Sequence, residues 1–302
     1  MHIGPMPLAR LARVRHHAAW LMVGATLLFA AMAACVKLAS ARYGTGEIVF
    51  YRGMVGFIVI AALTLWRGGS LRTTVPLMHL GRGVAGVAAL VLWFFAMAHL
   101  PLATAVTLNY MSSVWMAAFL VLAAWAGRAP KVHPALVGAV LLGFAGVTLV
   151  LRPSFVASQY LAAGAGLASG MLAALAYLQV GALGRAGEPE YRVVFYFSLA
   201  SAVVGVLLTL GHGFQSHTPG GLAALIGTGV LATAAQMMMT RAYAIGQPLA
   251  NASLNYLGIA FSFGFGLALF GERLSAPSLA GIGLIVVAGL WATRLRHATV
   301  AT

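Results

Sequence analysis

Apolar residues run along this chain in long blocks, without the alternation of a half-buried strand or the single stripe of a surface helix. Ten blocks stand out, at 18–39, 46–66, 80–99, 102–125, 133–151, 160–182, 193–211, 220–243, 249–270 and 277–293. Each is close to the roughly 20 residues with which an α-helix crosses the hydrocarbon core. The pattern predicts an all-α integral membrane protein with ten transmembrane helices. The polar connections are too short to fold as soluble domains, so any activity belongs to the membrane part.

Self-similarity at half length divides the ten. WFFAMAHLPLATAVTLNYMSSVWMAAFLVLAAWAGR (93–128) and MTRAYAIGQPLANASLNYLGIAFSFGFGLALFGER (239–273) share PLA, small residues and LNY. Pro101 matches Pro248 at an offset of 147, and Leu108-Asn109-Tyr110 matches Leu254-Asn255-Tyr256 at 146. HPALVGAVLLGFAG (133–146) parallels APSLAGIGLIVVAG (276–289), so that Gly138 and Gly146 fall on Gly281 and Gly289. Five helices per half is an odd number, which inverts the second half relative to the first. The expected organisation is a basic tail (1–17), a first repeat (18–151), a second repeat (160–293) and a short C-terminal tail (294–302), with a central cavity between the repeats. Small-residue runs such as GAGLASG (164–170) and SFGFG (262–266) allow helix backbones to approach closely, and they permit a homodimer as readily as a monomer.

Composition agrees: 62% of the residues are apolar and 7% charged, against about 25% charged in a soluble domain. Eighteen Lys and Arg face four acids, Glu47, Glu188, Glu190 and Glu272, with no Asp. With a cytoplasmic N-terminus, 13 of the 18 cations fall on the inner face, among them Arg10, Arg67, Arg82, Arg128 and Arg185. The outer loops hold Arg42, Arg152 and Arg273, and Lys37 and Arg52 lie within or at the edge of spans. This asymmetry is that of an inner (plasma) membrane protein with both termini cytoplasmic, and it directs the basic charge to anionic lipid, not nucleic acid. The lone Cys35 excludes an internal disulfide and a cysteine metal cluster, and no cofactor or metal is expected. The first apolar run is too long for a signal peptide and reads as a retained helix.

The segments after PLA, the EIVFYRG start of the second span, YAIGQPLANASLNY and LFGERLSAPSLAGIGLIVVAG resemble the drug/metabolite transporter superfamily, in its ten-helix EamA branch. That resemblance covers nearly the whole chain. It implies two inverted five-helix repeats around a cavity that moves small metabolites such as amino acids, often outward. Two departures stand out: the acid of Gly271-Glu272-Arg273 is missing from Ala126-Gly127-Arg128, and Ser112 and Ser113 occupy a region where many relatives carry proline.

Arg52 is the sharpest chemical signal. A charge deep in a span costs at least ~2.5 kcal/mol, and Arg52 lies about 10 Å from the helix end at 1.5 Å per residue. Two readings follow. Either it snorkels to the interface or braces Glu47, five residues away and off the same helix face, or it presents a guanidinium to a solute carboxylate or phosphate in a wet cavity. Lys37 adds a second cation at the same end. Uncharged candidates for substrate binding are Asn109, Tyr110 and Ser113 in the fourth span and Asn255 and Tyr256 in the ninth. Trp93, Tyr177, Gln179, Gln236 and Tyr243 join them from the third, sixth and eighth. Each could instead serve interhelical hydrogen bonding, but an aromatic cavity with a few fixed polar groups suits an amphipathic small molecule.

No buried acid–histidine relay is expected, because Glu47 and Glu272 fall at outer helix ends, Glu188 and Glu190 in a cytoplasmic loop, and His79, His99 and His133 at helix ends. This favours a facilitator or exchanger, with Glu47 the remaining candidate for protonation. The leading expectation is an exporter of amino acids or related solutes by alternating access. The alternative is a carrier for nucleotide-like or phosphorylated solutes, of which S-adenosylmethionine is an example, and it asks for more cavity cations. An intramembrane enzyme is disfavoured by the lack of HExxH, GxSxG or any Asp, and a channel by the repeat.

Overall fold

Proline and polar caps set the helix starts. Pro76 stands at the first position of one helix, Pro248 of another, and Thr218 accepts from the Gly221 amide to open a third. The computed structural model describes residues 8–100, 102–128, 132–151, 159–211, 213–271 and separate positions between 276 and 291. In chain order its helices are α1 (Leu8–Ala39), α2 (Thr45–Trp66), α3 (Pro76–His99), α4 (Leu102–Tyr110), α5 (Ser112–Trp125) and α6 (Pro134–Leu151). They continue as α7 (Tyr160–Arg185), α8 (Glu190–Thr209), α9 (Pro219–Ile245), α10 (Pro248–Asn255) and α11 (Leu257–Phe270).

Among the described residues, eight helical stretches are long and apolar enough to cross a membrane, and Pro134–Gly146 forms a shorter apolar helix. Nine of the ten predicted spans thus coincide with helices, and the tenth (277–293) lies largely outside the described residues. Two predicted spans are broken. The 102–125 helix is interrupted at Met111, between α4 and α5, and the 249–270 helix at Tyr256, between α10 and α11, where the Tyr256 amide tightens onto the Ser253 carbonyl. The first break directly follows Asn109-Tyr110, and the second falls on the tyrosine of Asn255-Tyr256, so both lie at the LNY motifs. Irregular backbone at membrane depth is tolerated where protein or a cavity, not lipid, receives its polar groups.

α2 and α8 pack antiparallel along a seam of small residues. A Cβ added at Gly53 would collide with the backbone of Ala202 and Ser198, and one at Gly205 with the backbone of Phe50. Close approach of this kind replaces the hydrophobic drive that lipid removes. Around this pair, α1 packs on α9 and α3 on α7, while α4 and α5 lie against α7 and α11 against α1. Outward-facing apolar side chains cover the perimeter. Trp66 and Trp125, at the ends of α2 and α5, are 82% and 89% exposed, the placement of interfacial tryptophan.

Both ends of the α2–α8 pair are tied down by polar contacts. At one end the loop after α2 is held by α8: the Ser70 carbonyl accepts from Arg192 Nε at 2.8 Å and Tyr191 Oη at 3.3 Å, and the Leu71 carbonyl from Tyr196 Oη at 2.9 Å. At the other, the loop before α9 is held from the α1–α2 side. The Ser216 carbonyl accepts from Arg42 Nε at 2.8 Å, Tyr51 Oη meets His217 Nε2 at 2.8 Å, and the Gln215 amide donates to Glu47 Oε2 at 3.3 Å.

The first end corrects an expectation. Glu188, read as a loop acid, is buried at 7% exposure. It accepts from Thr73 Oγ1 at 3.0 Å and pairs with His79 at 3.1 Å and Arg192 at 3.4 Å. The loop is too short to leave the helix ends, so its acid folds back between α3 and α8 and draws a buried histidine to it. Glu190 pairs instead with Arg241 at 3.4 Å.

Candidate solute-binding site

At the middle of the bundle the helices leave a cavity of about 50 Å³. Its wall is drawn from α1, α2, α3, α4, α7, α8 and α9, together with Asn255 at the α10–α11 break. Phe29, Met32, Leu90, Trp93 and Phe197 supply apolar surface, and Asn109, Tyr110, Tyr177, Gln236 and Asn255 supply polar groups. Into it come two arginines, Arg52 from α2 and Arg82 from α3.

Arg52 is 4% exposed and lies with its guanidinium carbon 5.0 Å from the centre of the Phe197 ring. It does not reach Glu47, whose Oε2 takes the Gln215 amide. Its burial speaks against snorkelling, and no Arg52–Glu47 ion pair is present among the described residues. Arg82 is 3% exposed and stands 4.0 Å from the same ring. Arg52 Nε, Arg82 Nε and Arg82 Nη1 are buried without a hydrogen-bond partner, and neither side chain has an ion-pair partner among the described residues. Among the described residues no carboxylate lines the cavity. A lone buried cation is costly unless paired and hydrogen-bonded, and a ring face offers only a partial substitute.

Seven of the twelve residues proposed from sequence therefore meet in one place: Arg52, Trp93, Asn109, Tyr110, Tyr177, Gln236 and Asn255. Asn109 Nδ2 also donates to Ser169 Oγ at 2.9 Å, which fixes α4 on α7. The other five lie off the cavity wall. Lys37 Nζ donates to the carbonyls of Met97 and Leu100 at 3.0 and 3.1 Å, capping the end of α3. Ser113 Oγ donates to the Ala252 carbonyl at 2.8 Å and ties α5 to α10. Tyr243 stacks on Tyr177 with centroids 5.4 Å apart, Tyr256 is fully buried, and Gln179 faces α3 beside Gly81.

Comparison with known proteins decides what kind of machine this is. Two relatives, the pseudopaline exporter CntI of Pseudomonas aeruginosa strain UCBPP-PA14 and that of strain PAO1, are each 33% identical over 277 residues. The match spans 91% of this chain and 95% of theirs. The profile of the EamA-like transporter family matches residues 16–152. The chain belongs to the EamA-like transporter family. It is a multi-pass membrane transporter of small metabolites, an exporter by its relatives, and not an enzyme. A solved crystal structure shares the fold at a TM-score of 0.78 and 20% identity, covering 93% of this chain and 98% of that one.

In this EamA-family transporter, the residue that sequence reasoning placed elsewhere is Arg82, counted among the inner-face cations. A helix starting at 80 would leave it at the membrane surface. Pro76 starts α3 one turn earlier, so Arg82 is its seventh residue and enters the bundle. A proline four residues before the apolar run was the available signal. Among the described residues no group of His, Cys, Asp and Glu could hold a metal ion.

Proposed function

We propose that this protein exports carboxylate-bearing amphipathic metabolites, amino acids and their derivatives, across the inner membrane through the central cavity. The observation that carries this is Arg52: a buried guanidinium on the cavity wall with no acid beside it among the described residues. A guanidinium fork matches a carboxylate in a two-point contact, and the aromatic wall receives the apolar body of the solute. The similarity to pseudopaline exporters supports the outward direction.

Transport proceeds by alternating access of two inverted five-helix repeats, with both termini in the cytoplasm. Three observations support this. The cavity of about 50 Å³ is far below the roughly 300 Å³ of a small-molecule pocket, so a solute requires the helices to part. The packing exchanges under the repeat: α1 on α9 answers α3 on α7, while α2 pairs with its own counterpart α8. The ties at the two ends answer each other at an offset of 145, since Arg192 to Ser70 corresponds to Glu47 to Gln215 and Tyr196 to Tyr51. Each tie closes one end, and releasing them in turn opens the cavity to alternate sides.

The second reading, a carrier of phosphorylated solutes, asked for a further cavity cation, and Arg82 is such a cation. Efflux from proteoliposomes loaded with labelled amino acids, nucleosides and sugar phosphates, without an ion gradient, tests both. Selective release of carboxylates is expected. Release of sugar phosphates alone favours the second reading, and no release above protein-free liposomes overturns facilitated transport.

A further inference from the structure

We infer that the solute carries two anionic groups and that Arg82 receives the second. This deepens the reading above and rests on it.

Two guanidinium groups share the Phe197 ring, at 5.0 and 4.0 Å, and both line the cavity. Bringing two like charges into one buried site is unfavourable twice over, by desolvation and by repulsion. Among the described residues three acids could have neutralised them, and all three are placed elsewhere. Glu47 takes the Gln215 amide, Glu188 holds His79 and Arg192, and Glu190 holds Arg241. Among the described residues nothing on the cavity wall accepts from Arg82 Nε or Nη1. A zwitterion brings a single negative group, which pairs one arginine and leaves the other with an ammonium in the same pocket. A solute with two carboxylates, or a carboxylate and a phosphate, pairs both. Arg82 is thus the residue that separates net-anionic solutes from plain amino acids, with Trp93 and Tyr177 bounding the space for the apolar portion.

The test uses the purified full-length chain and three probes on one skeleton: N-benzoylglutamate, N-benzoylglutamine and N-benzoylglutamine amide, with two, one and no negative charges. Equilibrium dialysis is expected to show the two-charge probe binding at least about tenfold tighter than the one-charge probe, the return for a second charge-assisted contact. Arg82→Gln is expected to reduce that ratio to under about threefold, chiefly by weakening the two-charge probe, and Arg82→Lys to give an intermediate ratio. Without ligand, Arg82→Gln melts no lower than the parent protein, because it removes a buried charge that has no partner. Equal affinities for the first two probes, no binding of any probe, uniform weakening by Arg82→Gln, or a marked drop in its melting temperature would each overturn the inference. If amino acids leave the proteoliposomes in an Arg52-dependent manner while the charge preference is absent, this inference alone fails. If Arg52-dependent efflux is absent as well, the export reading falls with it.

Discussion

Two clusters of basic side chains in this bundle are treated in opposite ways. Near the loop after α2, His79 and Arg192 converge on Glu188, and Thr73 fills out the carboxylate. At the centre, Arg52 and Arg82 converge on an aromatic ring, with no acid on the cavity wall among the described residues. Among the described residues an acid meets the basic groups where they hold helix ends together, and none meets them on the cavity wall, where we propose that the solute binds. A permanent internal acid beside Arg52 would compete with any carboxylate that came to bind.

The contrast breaks first at Glu188. Glu188→Gln removes the buried acid from between His79 and the half-buried Arg192 and is expected to destabilise the protein by about 3–5 kcal/mol, read as a lowered melting temperature in detergent. Arg52→Gln leaves no orphaned partner and is expected to fold normally, yet to slow carboxylate efflux by roughly 10–100-fold through loss of a charge-assisted contact. Equal melting losses in the two variants would erase the distinction.

Smaller changes sharpen it. Arg192 is more exposed than Glu188 and its pair is longer, at 3.4 Å, so Arg192→Gln is expected to cost about 1 kcal/mol, and less at high salt. At the opposite end one of the ties is an exposed contact of Tyr51 with His217. Tyr51→Phe is expected to leave melting almost unchanged, by ~0.5 kcal/mol or less, while loosening the loop before α9, measured as faster amide exchange over 213–218.

Much of the architecture was legible because lipid enforces it. A backbone in hydrocarbon must satisfy its own hydrogen bonds, so blocks of apolar residues become helices with little tertiary override. Arg52 was legible for the same reason, since a charge that deep requires an explanation. What the pattern did not show was depth near helix ends. Arg82 and Glu188 were assigned to the surface by hydropathy, yet Pro76 and a short 186–189 connection carry both inward. The interruptions at Met111 and Tyr256 were equally hidden, because neither site has proline or glycine to mark it. Lys37 shows the reverse case, a cation near a span whose Nζ donates to the carbonyls that end α3.

The central claim is that the solute supplies the negative charge absent from the cavity. It is tested most directly by efflux of labelled glutamate and glutamine amide from proteoliposomes bearing the parent protein or Arg52→Gln, matched for folded protein. The account predicts that the parent releases glutamate well ahead of glutamine amide and that Arg52→Gln loses the glutamate flux. Glutamate leaving at the parental rate through Arg52→Gln would contradict it.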